Sequence, residues 1–206
     1  MANFCSNSIV FYSKDKQKLS VFLRKIYAAF DSQGSGIYNL MVLHGYKDRE
    51  ILNSIDKRDC FTFCDSKLRT DKDIYSFRVD EESAWVPHME VFRKILRQKY
   101  GNAIRMVFLS EECGNDIYIN TDTEGKYFTE RYKVECSHGK EYKDEYFSEY
   151  SDLIRFVNEE YGTDLTEFDD VEDVESRVRL LNGEDEYFKI CRFTSDYQFN
   201  GEREVA

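Results

Sequence analysis

Residues 85–128, WVPHMEVFRKILRQKYGNAIRMVFLSEECGNDIYINTDTEGKYF, hold the chain's single tryptophan and single proline and set the order of elements that decides the fold class. Pro87 suits the first turn of a helix, because its missing N–H would be unpaired there and its φ is already helical. From Met89 the apolar residues Phe92, Ile95, Leu96 and Tyr100 keep helical spacing, and Gly101 ends the helix as a cap. A strand over Ala103 to Leu109 follows. Next come an acidic turn at Glu111, Glu112, Cys113 and Gly114, then two alternating runs, Asp116 to Asn120 and Tyr127 to Val134. A turn at Gly125 would join these runs as a hairpin.

Working toward the N-terminus, residues 74–79, IYSFRV, and 59–64, DCFTFC, alternate in character and read as two strands joined by a charged loop. Residues 37–55 read as two short helices behind the DSQGSG break at 31–36. Leu19, Phe22, Leu23, Ile26, Tyr27 and Phe30 make an apolar stripe on a helix from about Lys14, with Ser13 as its cap and the lysines as its wet face. SNSIVFYS, 6–13, reads as a covered strand. The order strand, helix, insertion, strand, strand, helix, strand is that of a ferredoxin-like βαββαβ sandwich, an α+β fold, with the two later runs extending its antiparallel sheet.

Toward the C-terminus the composition changes. Residues 141–206 carry 20 acidic against 7 basic side chains, a balance of −13, whereas residues 1–140 stand at +2. SEYSDLIRFVNEEYG, 148–162, is an amphipathic helix. TEFDDVEDVESRVRLLNG, 166–183, reads as another, although Asn182-Gly183 also permits a hairpin turn; 187–193 reads as a strand, and the tail from Thr194 as loose. The expected division is a ferredoxin-like domain over 1–140, with an insertion at 31–58, and an acidic α/β module over 141–206.

At 41% hydrophobic and 16% aromatic residues, 206 residues can bury a sizeable core. A net charge of −11 disfavours generic attraction to nucleic acid or an anionic membrane. No 18-residue apolar run occurs and the first residues lack the pattern of a signal peptide, so the expectation is a soluble, cytoplasmic protein. Six scattered cysteines read as reduced, buried thiols; Cys60 with Cys64, or Cys113, Cys136 and His138, lack the ligand spacing of a zinc site. No nucleophile elbow, phosphate loop or paired histidine motif appears, so no catalytic residue and no cofactor is assigned.

The opening MANFCSN resembles the M-x-N-W-C-S-N start of the Api92-like or YubB-type family of ferredoxin-like proteins from phages, plasmids and conjugative elements, with Phe4 in place of the usual Trp. Trp85, Pro87, Phe92, Ile95, Tyr100, Val107, Phe108, Glu112 and Gly114 resemble that family's W-x-P…F…I…Y…E-x-G pattern. The resemblance covers about residues 1–135 and implies an accessory protein of a mobile element, with no general reaction to carry over. Asn3, Cys5, Asn7, Trp85 and Pro87 are expected to be scaffold, with Trp85 anchoring the second helix on the core.

Three functions are weighed on this basis. The first is a non-enzymatic protein binder, for instance an anti-defence factor of the anti-CRISPR kind, whose carboxylates stand in for phosphates on a basic host surface such as that of a nucleic-acid-handling defence complex. Its surface would be Asp164, Glu167, Asp169, Asp170, Glu172, Asp173, Glu175, Glu184, Asp185 and Glu186. The second is a reader of RNA or single-stranded nucleic acid that stacks bases on sheet aromatics Tyr75, Phe77, Tyr118 and Tyr127. The third is a metal-dependent nuclease built on Glu111, Glu112 and Asp116, against the plainer reading of a solvated acidic turn.

Overall fold

In the computed structural model, β1 (Phe4–Ser13) is the central strand of the first sheet, and its inward residues Cys5, Asn7, Ile9 and Phe11 are all fully buried. The structure describes residues 3–54, 57–138, 141–182 and 187–197. The remaining strands are β2 (Asp59–Cys64), β3 (Arg69–Asp71), β4 (Ile74–Ala84), β5 (Arg105–Glu112), β6 (Ile117–Asn120), β7 (Tyr132–His138), β8 (Glu141–Phe147) and β9 (Phe188–Arg192). The helices are α1 (Lys16–Phe30), α2 (Gly36–Leu43), α3 (Arg49–Ser54), α4 (Met89–Ile95), α5 (Tyr150–Tyr161) and α6 (Val171–Asn182). The fold is α+β, and every strand pairing is antiparallel. None of the described helices is long and apolar enough to cross a membrane.

Two units emerge, residues 1–121 with 196–206 and residues 122–195. In the first, the strands run β2-β4-β1-β5-β6, with β3 also paired to β4. Alternation places Ile9, Phe11, Phe77, Val79 and Phe108 on the face that meets Leu19, Phe22, Ile26, Met89, Phe92 and Ile95 of α1 and α4. Phe11 sits at the centre, its ring centroid 4.9 Å from Phe22, 5.3 Å from Phe77 and 5.4 Å from Phe92. The insertion forms the two short helices expected, and it is part of the core, since Ile37, Leu40, Met41 and Leu52 are buried there. Gly36 is required by this packing, because a Cβ would lie 2.7 Å from the Phe61 ring.

Several local expectations change. The α1 cap is Asp15, which accepts from Lys18 N, because Ser13 is drawn into the sheet end and donates to Ala103 O at 2.6 Å. Pro87 precedes the α4 cap residue His88, so the helix starts two residues later than its proline suggests. The helix closes in a π turn, Leu96–Tyr100, before Gly101 takes a left-handed φ of 59°. Trp85 is not an anchor on the core; it is 40% exposed, with a left-handed φ of 71°.

The largest correction concerns residues 116–134. β6 extends the first sheet, yet no hairpin links it to the following run, whose strand, β7, starts at Tyr132 and pairs with β8 and β9 in a separate three-stranded sheet. The Gly125 turn forms, with Gly125 N on Asp122 O at 3.0 Å, but Asp122 Oδ2 also takes the amides of Tyr127 and Phe128. Those bonds fold 122–128 into a loop and leave its amides unavailable to a neighbouring strand. The division between units therefore falls at 121/122, against the expected 140/141. In the second unit α5 and α6 pack Leu153, Ile154, Val157, Val174 and Val178 on Val134, Cys136, Phe188 and Ile190. The tail is not loose through Tyr197, whose ring meets Phe108 edge-on at 5.2 Å and whose hydroxyl donates to Pro87 O.

Candidate functional site

In the first unit the two motifs, far apart in sequence, meet at one end of the sheet. Trp85 N donates to Asn3 O at 3.1 Å, and a Cβ at Gly114 would collide with the Asn3 amide. Pairing sets Asn7 opposite Glu81 on β4 and Ser110 on β5. The Asn7 amide donates to Glu81 Oε2 (3.0 Å), Ser83 Oγ (2.9 Å) and Cys5 O (3.1 Å), and its oxygen accepts from Ser110 Oγ (2.6 Å). Ser83 Oγ passes the chain on to Val86 O. His88 Nδ1 lies 3.3 Å from Glu81 Oε1, which ties the start of α4 to the same carboxylate.

Burial pushes the Glu81 carboxyl above its ordinary value, with the contacts from His88 and Asn7 opposing the shift. Burial, with Glu81 and Glu112 nearby, raises the Cys5 thiol to about 12. A thiol so held is not a nucleophile at neutral pH. The arrangement is a buried, polar clamp that joins three strands and a helix, and its geometry secures register. Glu81, Ser83, His88 and Ser110 were not singled out from sequence. The signal was present for Glu81 and Ser83, which continue the inward alternation of Tyr75, Phe77 and Val79.

The four aromatics of the sheet-face reading do not share a surface. Phe77 is in the core beneath the helices, Tyr75 packs against the same cluster, Tyr118 is buried on β6, and Tyr127 lies in the 122–128 loop of the other unit. The opposite sheet face is mixed: Arg78 spans Asp80 Oδ1 (2.7 Å) and Ser8 Oγ (2.8 Å), and the register sets Val10, Val107 and Leu109 on the same side. Nor do Glu111, Glu112 and Asp116 converge. Glu112 Oε1 caps Gly114 N, and among the described residues no three His, Cys, Asp or Glu side chains are arranged to hold a metal ion. The described thiols are all free; Cys5, Cys136 and Cys191 are buried, whereas Cys60 and Cys113 are exposed.

The acidic surface divides by duty. Asp170 Oδ1 accepts Asp173 N at the start of α6; Asp169 Oδ2 accepts Thr166 N at 2.6 Å and Thr166 Oγ1 at 2.9 Å, and those two bonds hold the Asp169 carboxyl below its ordinary range. Glu175 accepts Ile190 N at 2.7 Å and pairs with Arg179. Asp164, Glu167, Glu172 and Asp173 remain exposed, as are Phe168 at 89% and Leu180 at 81%. Glu184, Asp185 and Glu186 lie outside the described residues, as does the turn considered at Gly183. The second unit carries 21 acidic and 10 basic residues, a balance of −11, and the first 19 of each, a balance of zero. The whole net charge of the chain thus belongs to residues 122–195.

A cleft of about 400 Å³ in the first unit, lined by Tyr12, Lys14, Ile74 and Arg105, and a shallow groove of about 490 Å³ beside α5 in the second contain no paired nucleophile and base. Compared with known proteins, the chain matches no family model, no curated protein and no solved structure.

Proposed function

We propose that the protein acts without chemistry of its own, by docking the acidic surface of residues 122–195 on a basic surface of a partner protein. The observation that carries this is the confinement of the full −11 to one unit, where Asp164, Glu167, Glu172 and Asp173 are exposed together with the uncovered apolar side chains Phe168 and Leu180. Carboxylates steer and orient a basic partner, and an uncovered aromatic supplies the apolar area that sustains a contact once formed. The finer reading is an anti-defence factor that occupies the nucleic-acid channel of a host complex. Membership of the YubB-type family and a ferredoxin-like first unit belong to the same proposal. What supports them is the order β2-β4-β1-β5 with α1 and α4 on one face, and the meeting of Asn3 with Trp85 and Gly114.

The test uses the purified chain and purified RNA-guided nuclease complexes. Inhibition of cleavage is expected to weaken as salt rises and to vanish in a D164K/E167K/E172K/D173K variant that remains folded. Inhibition that survives all four reversals would sink the acidic docking surface.

A further inference from the structure

The first unit is neutral only as a sum. Its helices carry the positive charge: α1 has Lys16, Lys18, Arg24 and Lys25 with no acidic residue, and α4 with its π turn has Arg93, Lys94, Arg97 and Lys99 against Glu90 alone. With α3 contributing one residue of each sign, the helical layer stands at +7, so the strands and loops of that unit carry −7. The layer is strongly basic in a chain whose overall charge is −11.

Within the layer one cluster is more than solvated lysines. The Tyr46 hydroxyl donates to Gln98 Oε1 at 2.7 Å, which pins the ring. Lys99 Nζ lies 4.7 Å and Lys94 Nζ 6.0 Å from its centroid. Lys25 of α1 is close enough to feel Lys99; burial first, and that repulsion second, lower its pKa. Beneath them the neutral His44 ring is buried against Tyr100 and contributes no charge. Among the described residues none of the three lysines has a carboxylate within ion-pair distance. A gathering of ammonium groups with no carboxylate paired to it is held by cation–π contacts, and a polyanion relieves its repulsion.

We propose that this face binds the phosphodiester backbone of a nucleic acid, with Lys94 and Lys99 on the Tyr46 ring as its centre and Lys25 of α1 nearby. Lysine ammoniums are point charges that meet successive phosphates without demanding a fixed geometry, and a nucleic acid presents an unbroken row of them. The acidic surface of a second copy is a poorer match: Asp169, Asp170 and Glu175 are committed to their own backbone, and Arg155, Arg177 and Arg179 interrupt the field. The proposal is independent of acidic docking, since it uses the other unit and other residues.

The experiment measures fluorescence anisotropy of labelled oligouridylate, oligothymidylate and a short duplex with the intact chain across a salt series. Binding is expected at low salt, with log affinity falling against log salt at a slope of about −2 for single strands, three lysines at about 0.7 each. A K25Q/K94Q/K99Q variant should lose about tenfold or more in affinity at low salt and flatten that slope, with its circular dichroism unchanged. A K14Q/K67Q/K72Q control, outside the helical layer, should bind like the parent. The RNA and DNA arms identify which backbone is preferred. Equal loss in both triple variants, or no binding of any probe at low salt, overturns the proposal. So does salt-sensitive self-association in sedimentation that only the first variant abolishes, with no probe bound, because the occupant is then a second copy.

Discussion

Both units set helices on one face of an antiparallel sheet, yet they differ in the polar groups they bury. In the first, Asn7, Glu81, Ser83 and Ser110 form a closed network within a core built on Phe11, Phe22, Phe77, Phe92 and Phe108. The second has a smaller core and buries Lys133 and Glu135 as an ion pair at 3.1 Å, with Asp144 also 3.0 Å from the lysine, while Asp164, Glu167, Glu172 and Asp173 lie outside. Burial constrains composition wherever side chains meet, and it leaves surface charge free to vary. What separates the units is therefore their electrostatics, and that is where the proposed functions lie.

Trp85 lies in the first unit and is the only tryptophan, so its fluorescence follows that unit alone while circular dichroism follows both. The largest effect expected is from Phe11→Ala, a loss of about 4 kcal/mol through the cavity left among three rings. The tryptophan transition should move to lower denaturant while a second transition by circular dichroism stays in place. A single merged transition, shifted throughout, would mean that the units unfold as one.

Asn7→Ala should cost about 3–4 kcal/mol by the same readout, because Glu81, Ser83 and Ser110 each lose a buried partner. Glu81→Gln sharpens the point. A carboxyl whose folded pKa is raised favours the folded state below its unfolded value and loses that contribution as pH rises, so the amide should match or exceed the parent at neutral pH. A strongly destabilised Glu81→Gln would show that the ionised pair with His88 holds the clamp.

Third comes pH. His44 Nδ1 faces Leu40 O at 2.8 Å and Nε2 faces Tyr100 Oη at 3.0 Å, so a neutral ring donates to the carbonyl and accepts from the hydroxyl. Burial lowers its pKa from 6.5 to about 4, so this stability is complete above pH 6.5 and is lost as pH falls toward 4, about 3 kcal/mol in all. Tryptophan-detected stability should show that slope, and His44→Asn should flatten it. An unchanged slope in the variant would assign acid sensitivity to other groups.

Helical spacing made α1, α5 and α6 legible, and alternation did the same for β1, β2 and β4, because each of these elements buries one face and its period appears in the residue types. β8 was not legible: EYKDEYF is exposed at most positions, so its pairing with β7 leaves little apolar trace. β3 is three exposed residues that exist as a strand only through β4. The clamp was half legible. Asn3, Cys5, Asn7, Trp85 and Pro87 stood out as a motif, but a motif does not say what its side chains touch.

The sequence by itself determined the α+β class, the succession of elements, the two insertion helices and the acidity of the later residues, since each follows from local periodicity or from counting. The tertiary structure alone decided that β6 and β7 part company at residue 121, because Asp122 claims the amides that a hairpin would need. It also decided that Phe77 is core, because the side of the sheet the helices cover depends on how the chain crosses over it. Finally, it gathered Lys94 and Lys99 on the ring of the distant Tyr46, and a count of charges along a sequence has no means of seeing which of them become neighbours.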